Sequence, residues 1–450
     1  MSGKLAELFK GTIGSLKVKG SLTQNFAWTS STKLAASVLS IIITPILTRI
    51  YSPGDYGLFS VFSIIITNYL ALSSLGYSEA MMIVKSKREF FQLFWLSICL
   101  VVITTVLFYF AINTFLTELI DIDIEQITSL WPVVIFCMIT WGFLVIFQKI
   151  SIHLNNFRVS SQIGLSHVVS NKALAVLFGS FKISIGLIYA EFLSKGISLI
   201  LHVVVYSKFL KLSLSQFSFP KLWKMLVLYR NYPIYVLSSK YLKTIGGQLP
   251  LVVIPYFFDL ETLGHFALVV GLVNIPIRLF GYSMSTVFLR KIRDLETVET
   301  FSISQRIFRT VSILLIPIFF LALSAKYWFP FLLGEKWVIA AELAPFMIMV
   351  VVHLILESIY DGVFQLKRKE KRLFVLDTIF VITLAVTLIL LGQYGVSIEL
   401  MILTNSLLLI CFAFIKVQMV YHILSSSVSK SNIYLFVLAT GLLALLYYLS

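Results

Sequence analysis

The sequence predicts an all-helical polytopic membrane protein, and three observations predict it. First, 58% of its 450 residues are hydrophobic and only 13% are charged, about half the roughly 25% charged residues of a soluble domain. So little charge cannot cover a surface facing water. Second, the apolar residues fall in runs of the length that crosses a bilayer core, about 20 residues in a helix. Third, lysine and arginine concentrate in alternate loops between those runs, as the positive-inside rule describes. The net charge of +15 is thereby distributed as loop charge in a membrane protein, and no nucleic-acid partner is expected.

In order along the chain, residues 1–22 carry Lys4, Lys10, Lys17 and Lys19 without a short apolar core and small-residue cleavage site, so a cytoplasmic segment is expected there. Six apolar runs follow, at 23–47, 57–78, 90–113, 129–151, 157–180 and 184–207. Six more stand at 233–256, 262–288, 307–329, 340–364, 373–392 and 397–423, and a shorter one at 432–449. The runs are continuous, without the two-residue alternation of a barrel. Lipid tolerates only helices or closed barrels, so each run is read as a helix. Twenty-five Lys and Arg lie at the N-terminus and in one set of loops; only Arg49, Lys182, Lys326 and Lys336 lie in the opposite set. That asymmetry orients the N-terminus to the cytoplasm. The three cysteines, Cys99, Cys137 and Cys411, lie inside apolar runs without CxxC spacing and read as packing residues.

The longest interruption, 209–232, mixes Lys221, Lys224 and Arg230 with Trp223, Leu226 and Tyr229. It is expected to be a cytoplasmic interfacial amphipathic helix. It divides the chain into a six-helix lobe over 23–208 and another over 233–424, with a loop and thirteenth helix over 425–450. A shift of 207 residues places Ser31–Lys33 over Ser238–Lys240, Gly57 over Gly264 and Phe59 over Phe266. Lobes of six helices each would form a parallel pseudo-two-fold repeat.

Seven basic residues fall within the apolar runs: Lys33, Lys172, Lys195, Lys240, Lys243, Arg278 and Lys416. A charge at bilayer depth is costly, so these side chains should face protein or water. Lys33, Lys240, Lys243 and Arg278 are expected to line a cavity, because Lys and Arg both pair with phosphate oxygens. Lys172 could serve there or pack structurally. Lys195 has Glu191 four residues before it, and an ion pair within that helix is expected. Lys416 is expected to snorkel to the cytoplasmic surface. Among the intramembrane acids, Glu357, Asp361 and Asp377, with Glu191, could carry a coupling H+ or Na+. The competing reading of the first three is pairing with the basic cluster Lys367–Arg372. Glu79, near a helix end, reads as capping or solvated.

The stretch ITPILTRIYSPGDYGLFSVFSII, residues 43–65, resembles the first hairpin of the polysaccharide-unit (O-antigen, Wzx-type) flippases of the multidrug/oligosaccharidyl-lipid/polysaccharide exporter superfamily. Arg49, Pro53, Asp55, Tyr56, Gly57, Leu58 and Phe59 match that family's pattern. Read as structure alone, Pro53 and Gly54 make the turn, Asp55 caps the next helix and Gly57 admits close helix packing. The resemblance implies two six-helix bundles around a central cavity, in the inner membrane of a bacterium. It implies transport of an oligosaccharide on undecaprenyl pyrophosphate from the cytoplasmic to the outer leaflet, by alternating access. It implies membrane lipids as surroundings, and a polysaccharide polymerase and chain-length regulator as partners. No cofactor is expected. The sequence has no P-loop, HExxH or GxSxG, its six histidines lack metal spacing, and no outside loop is long enough for a catalytic domain. A cation-coupled drug exporter of the same superfamily is the nearest alternative, and a membrane-embedded polysaccharide polymerase or ligase a more distant one.

Overall fold

A computed structural model describes residues 22–84, 86–119, 130–154, 156–277, 281, 285, 288, 297–367, 369–424 and 430–449. All regular structure among them is helical. Among the described residues, eight helices are long and apolar enough to cross a membrane, or nine if one bent pair is counted as one span. The protein is therefore a multi-pass helical membrane protein. Contacts divide it into two compact units, residues 1–43 with 65–241 and residues 44–64 with 242–450.

The first unit holds most of α1 (Leu22–Ile50), the end of α2 (Pro53–Leu72), the short α3 (Tyr77–Ala80), α4 (Lys87–Leu119), α5 (Trp131–His153), α6 (Phe157–Ser180) and α7 (Gly186–Val205). The expected run at 157–180 is α6 to the residue. It carries Arg158, Gln162, His167, Asn171 and Lys172, and so it falls outside the helices apolar enough to span on composition. The core is aromatic and aliphatic: Phe90, Phe94, Val101, Ile146, Phe147 and Ile150 are almost wholly buried. Tyr69, buried in that unit, has its hydroxyl satisfied locally, as burial in lipid demands. Tyr69 donates to the Val101 carbonyl at 3.1 Å and shares a hydrogen bond with Thr105 at 2.8 Å.

The expected single interfacial helix at 209–232 is instead two short helices, α8 (Ser207–Leu214) and α9 (Phe219–Leu228). Pro220 explains the division, since it is accommodated in the first turn of a helix but not within one. Both are fastened to α4. Trp95 Nε1 donates to the Ser213 carbonyl at 3.0 Å, and Gln92 donates to the Gln216 carbonyl. Tyr77 donates to the Leu226 carbonyl at 2.9 Å. Their outer face exposes Leu212, Phe219, Trp223 and Leu228 beside Lys211 and Lys224, the composition of a helix pair lying in a membrane interface.

A π-helical turn at Tyr232–Leu237 and the first four residues of α10 (Ser238–Phe257) close the first unit; the second contains the rest of α10, then α11 (Leu260–Pro276), α12 (Thr297–Ile313), α13 (Leu315–Leu323) and α14 (Ala325–Leu333). After a 3₁₀ turn at Glu335–Trp337 come α15 (Val338–Met349), α16 (Val351–Leu366), α17 (Glu370–Gln393), α18 (Ile398–Ile423) and α19 (Lys430–Leu449). The run expected as one helix at 307–329 is broken into α12, α13 and α14. Pro317 lies four residues after Ile313, where its ring meets that carbonyl and ends the helix. The run at 340–364 is likewise bent by 43° between α15 and α16.

Candidate functional site

The hairpin at 49–57 is part of the second unit. Ser52 and Asp55 form a reciprocal capping box at the start of α2: Asp55 N donates to Ser52 Oγ at 3.1 Å, and Ser52 N donates to Asp55 Oδ2 at 2.8 Å. The cap is thus Ser52 rather than Asp55. Pro53 occupies the first helical position, where its missing N–H costs nothing, so the turn itself is Tyr51–Ser52. Burial, and then the charge of Asp55, push the Tyr51 hydroxyl up to about 12. At the end of α1 the orphan carbonyls find distant donors. Trp337 Nε1 donates to Thr48 O at 2.9 Å and Lys336 Nζ to Arg49 O at 3.2 Å, while Arg49 donates to Phe331 O at 3.3 Å.

A closer contact lies one turn further on. A Cβ added to Gly57 would stand 1.9 Å from Leu260 O, and one added to Gly264 would stand 1.8 Å from Pro53 O. The 207-residue shift exchanges Pro53 with Leu260 and Gly57 with Gly264, so the contact is reciprocal under it. Asp259, the counterpart of Ser52, caps α11 by accepting from Thr262 N at 2.7 Å. Burial opposes ionisation of Asp259, but the hydrogen bonds from Thr262 outweigh it and hold the carboxyl below its usual range.

Three charged clusters lie on these frames. In the second unit, α16 presents Glu357 and Asp361 four residues apart on one face, α17 presents Asp377, α18 presents Lys416 and α10 presents Lys243. Lys416 Nζ contacts Glu357, lies 3.0 Å from Asp361 and 3.2 Å from Asp377. Lys243 Nζ reaches the same two aspartates at 3.0 and 3.8 Å. Lys416 is 3% exposed, so it does not snorkel. Its charge is retained at depth because three carboxylates from two helices neutralise it, and these carboxylates pair here rather than with Lys367–Arg372. Lys243 is the open edge of the cluster, its side chain 40% exposed. Two cations face three carboxylates, a net charge of −1.

In the first unit, Glu191 on α7 is buried and accepts from Asn171 Nδ2 at 2.6 Å. His167 Nε2 and Lys195 Nζ each stand 3.6 Å from it. The Lys195 ammonium also lies 4.3 Å from the centre of the Trp141 ring, a cation–π contact suited to a desolvated site. Lys172 lies on α6 beside Asn171 and is half-buried. His167 and Asn171 were not singled out in the sequence; their four-residue spacing on an unusually polar membrane helix was the available signal.

The third cluster is centred on Glu79 in α3, which accepts from Lys149 at 2.6 Å and Lys240 at 3.2 Å. Burial would raise the Glu79 carboxyl, but the hydrogen bond and charge of Lys149, then those of Lys240, hold it below the usual carboxylate range. Glu79 is thus an ion-pair centre rather than a cap. Lys240 and Lys243, three residues apart on α10, engage different carboxylates. Lys33 is exposed on α1 and has no ion-pair partner among the described residues. Arg278 lies outside the described residues.

A model of a family described as polysaccharide biosynthesis protein matches residues 46–342. The chain belongs to that family. No curated protein matches it significantly. Three solved structures show the fold this chain shares. A eukaryotic MATE transporter, AtDTX14, superposes with a TM-score of 0.58 at 12% identity, over 94% of this chain and 98% of the other. The lipid II flippase MurJ in an inward closed conformation gives 0.54 at 14% identity, over 93% of each. An inward-facing multidrug resistance MATE family transporter of the MOP superfamily gives 0.51 at 16% identity, over 89% of this chain and 100% of the other. The chain thus has the two-lobed helical fold of those transporters.

Proposed function

We propose that the protein flips an oligosaccharide repeat unit, carried on undecaprenyl pyrophosphate, from the cytoplasmic to the outer leaflet of a bacterial inner membrane. The observation that carries this reading is the family match across two thirds of a multi-pass helical chain. Two lobes related by the 207-residue repeat would expose a cationic cavity to each side in turn, with the N-terminus in the cytoplasm. Lys33, Lys240, Lys243 and Arg278 receive the phosphates and sugar acids of the substrate, with Lys172 and Lys195 as further cations. A glycan on a diphosphate suits these residues better than a cationic drug does.

Coupling follows from the charge balance of the Lys416 cluster. Lys243 is held by carboxylates yet remains accessible, so a substrate phosphate competes for it. Withdrawing Lys243 leaves Lys416 alone among Glu357, Asp361 and Asp377, a local charge of −2. A coupling H+ or Na+ then becomes favourable there. Glu191 is a second place for such an ion. A polysaccharide polymerase and a chain-length regulator would act on the delivered unit. The test is Lys243→Ala, and separately Arg278→Ala, in a cell that depends on the protein, with membrane level measured. Surface polysaccharide is expected to fall while lipid-linked units accumulate in the cytoplasmic leaflet. Unchanged surface polysaccharide in both variants at normal membrane level overturns the cationic-cavity reading.

A further inference from the structure

Between α17 and α18, in the second unit, lies an open groove of about 470 Å³. Lys369, Lys371 and Arg372 line one end, and Val375, Ile379 and Met419 are among the apolar residues of its floor. The three basic side chains are exposed, and Val375 and Ile379 are 47% and 51% exposed. Both helices are long and apolar enough to cross a membrane. The floor therefore lies along hydrocarbon, while the basic end lies at a helix terminus. Residues 372, 375 and 379 follow one another at helical spacing, so the groove changes along a single stripe from cation to hydrocarbon.

The helix end adds to the attraction. α17 begins after Lys369, which makes no side-chain cap, and an uncapped helix N-terminus favours an anion. Glu370 is exposed on the same turn but does not line the groove. With it, residues 369–372 carry a net charge of +2. The basic loop 367–372 belongs to the set that the loop charges assign to the cytoplasm.

We propose that this groove is a specific site for a lipid of the cytoplasmic leaflet bearing two phosphates, of the diphosphatidylglycerol class. A head with one phosphate would leave a rim cation unmatched, whereas the three lining cations can engage two phosphates at once. Arg372 offers a planar fork that pairs with phosphate oxygens two at a time, and the two lysines act as point charges beside it. Basic pockets between membrane helices on the cytoplasmic side recur as sites for such headgroups. One acyl chain lies along Val375, Ile379 and Met419. The occupant braces α17 against α18, the helices that carry Asp377 and Lys416, and it does so whatever the protein transports.

The test uses the full-length protein purified in detergent, with lipid retention read by native mass spectrometry and stability by thermal unfolding. Diphosphatidylglycerol, phosphatidylglycerol, phosphatidylethanolamine, undecaprenyl pyrophosphate and inorganic pyrophosphate are each added separately. Diphosphatidylglycerol is expected to bind most tightly and to raise Tm. The triple variant Lys369→Gln, Lys371→Gln, Arg372→Gln should bind it about a hundredfold more weakly, the loss that follows from about 1 kcal/mol per basic residue. The control Lys208→Gln, Lys211→Gln, Lys224→Gln should bind as the wild type does. Equal retention by wild type and the 369–372 triple overturns the site. Phosphatidylglycerol binding as tightly overturns the two-phosphate specificity. Inorganic pyrophosphate binding as tightly as the lipid, or undecaprenyl pyrophosphate displacing it at equal concentration, overturns the assignment of the occupant.

Discussion

At residue scale, Lys416 shows how a membrane helix keeps a full charge nearly out of contact with solvent. Three carboxylates supplied by α16 and α17 offset its desolvation. Removing one partner of a buried ion pair costs about 3–5 kcal/mol, because the opposite charge is left behind unpaired. Lys416→Met is therefore expected to lower Tm and membrane level strongly. Adding Asp361→Asn should recover part of the loss, a non-additivity measurable in a double-mutant cycle. A loss in the double variant equal to the sum of the two single losses would show that the pair is not coupled. Glu79 supplies the pH counterpart. Its folded-state carboxyl is depressed below the unfolded value, so its contribution is present above the ordinary carboxylate range and is lost as pH falls through the folded value. The Tm difference between wild type and Glu79→Gln should be largest near neutral pH and shrink towards strong acid. These charges could be listed from the sequence, but their partners could not. Apart from Glu191 and Lys195, every pair joins residues at least 20 positions apart, and no helical period reports such a meeting.

At element scale, the helices with uniform apolar composition were legible: the runs at 129–151, 184–207 and 397–423 become α5, α7 and α18 with ends shifted by a few residues. Where the backbone breaks, hydropathy is blind. Neither the π turn at Tyr232–Leu237 nor the bend between α15 and α16 changes the apolar pattern. The start of α2 was legible in part, since Pro53, Asp55 and Gly57 drew attention, while Ser52 and the partner surface on α11 did not. That surface makes a prediction. Gly57→Ala and Gly264→Ala each place a methyl within 2 Å of a backbone carbonyl oxygen on the other helix, which no rotamer change relieves. Each should cost more than the 1–3 kcal/mol typical of overpacking. Because both force the same two helices apart, Gly57→Ala with Gly264→Ala should cost less than the sum of the singles. Thermal unfolding of the three variants in detergent checks this, and a strictly additive loss would mean that the two contacts open independently.

At the scale of the whole molecule, the loop charges make one demand on every element at once. If the cytoplasm holds the twenty-five basic residues and the outside holds four, each crossing must alternate, and an error of one helix would invert everything after it. The structure gives checkpoints whose local geometry is known. Ser52, Glu261 and Lys336 stand at turns on the predicted outer side, and Lys211, Trp223 and Lys371 are exposed on the predicted inner side. Cys99, Cys137 and Cys411 are buried or half-buried in helices, so a background with each replaced by alanine or serine should remain folded. In that background, single cysteines at Glu261 and Lys336 should react with a membrane-impermeant maleimide in intact cells. Cysteines at Lys211, Trp223 and Lys371 should react only after permeabilisation. Glu261 and Lys336 are separated by α11 to α14 and the segment between them, so their agreement tests whether that stretch crosses an even number of times although proline breaks it into short helices. Labelling of Lys336 from inside, with Glu261 labelled from outside, would show that the stretch from α11 to α14 crosses an odd number of times. The positive-inside orientation would then hold only for the chain before the break.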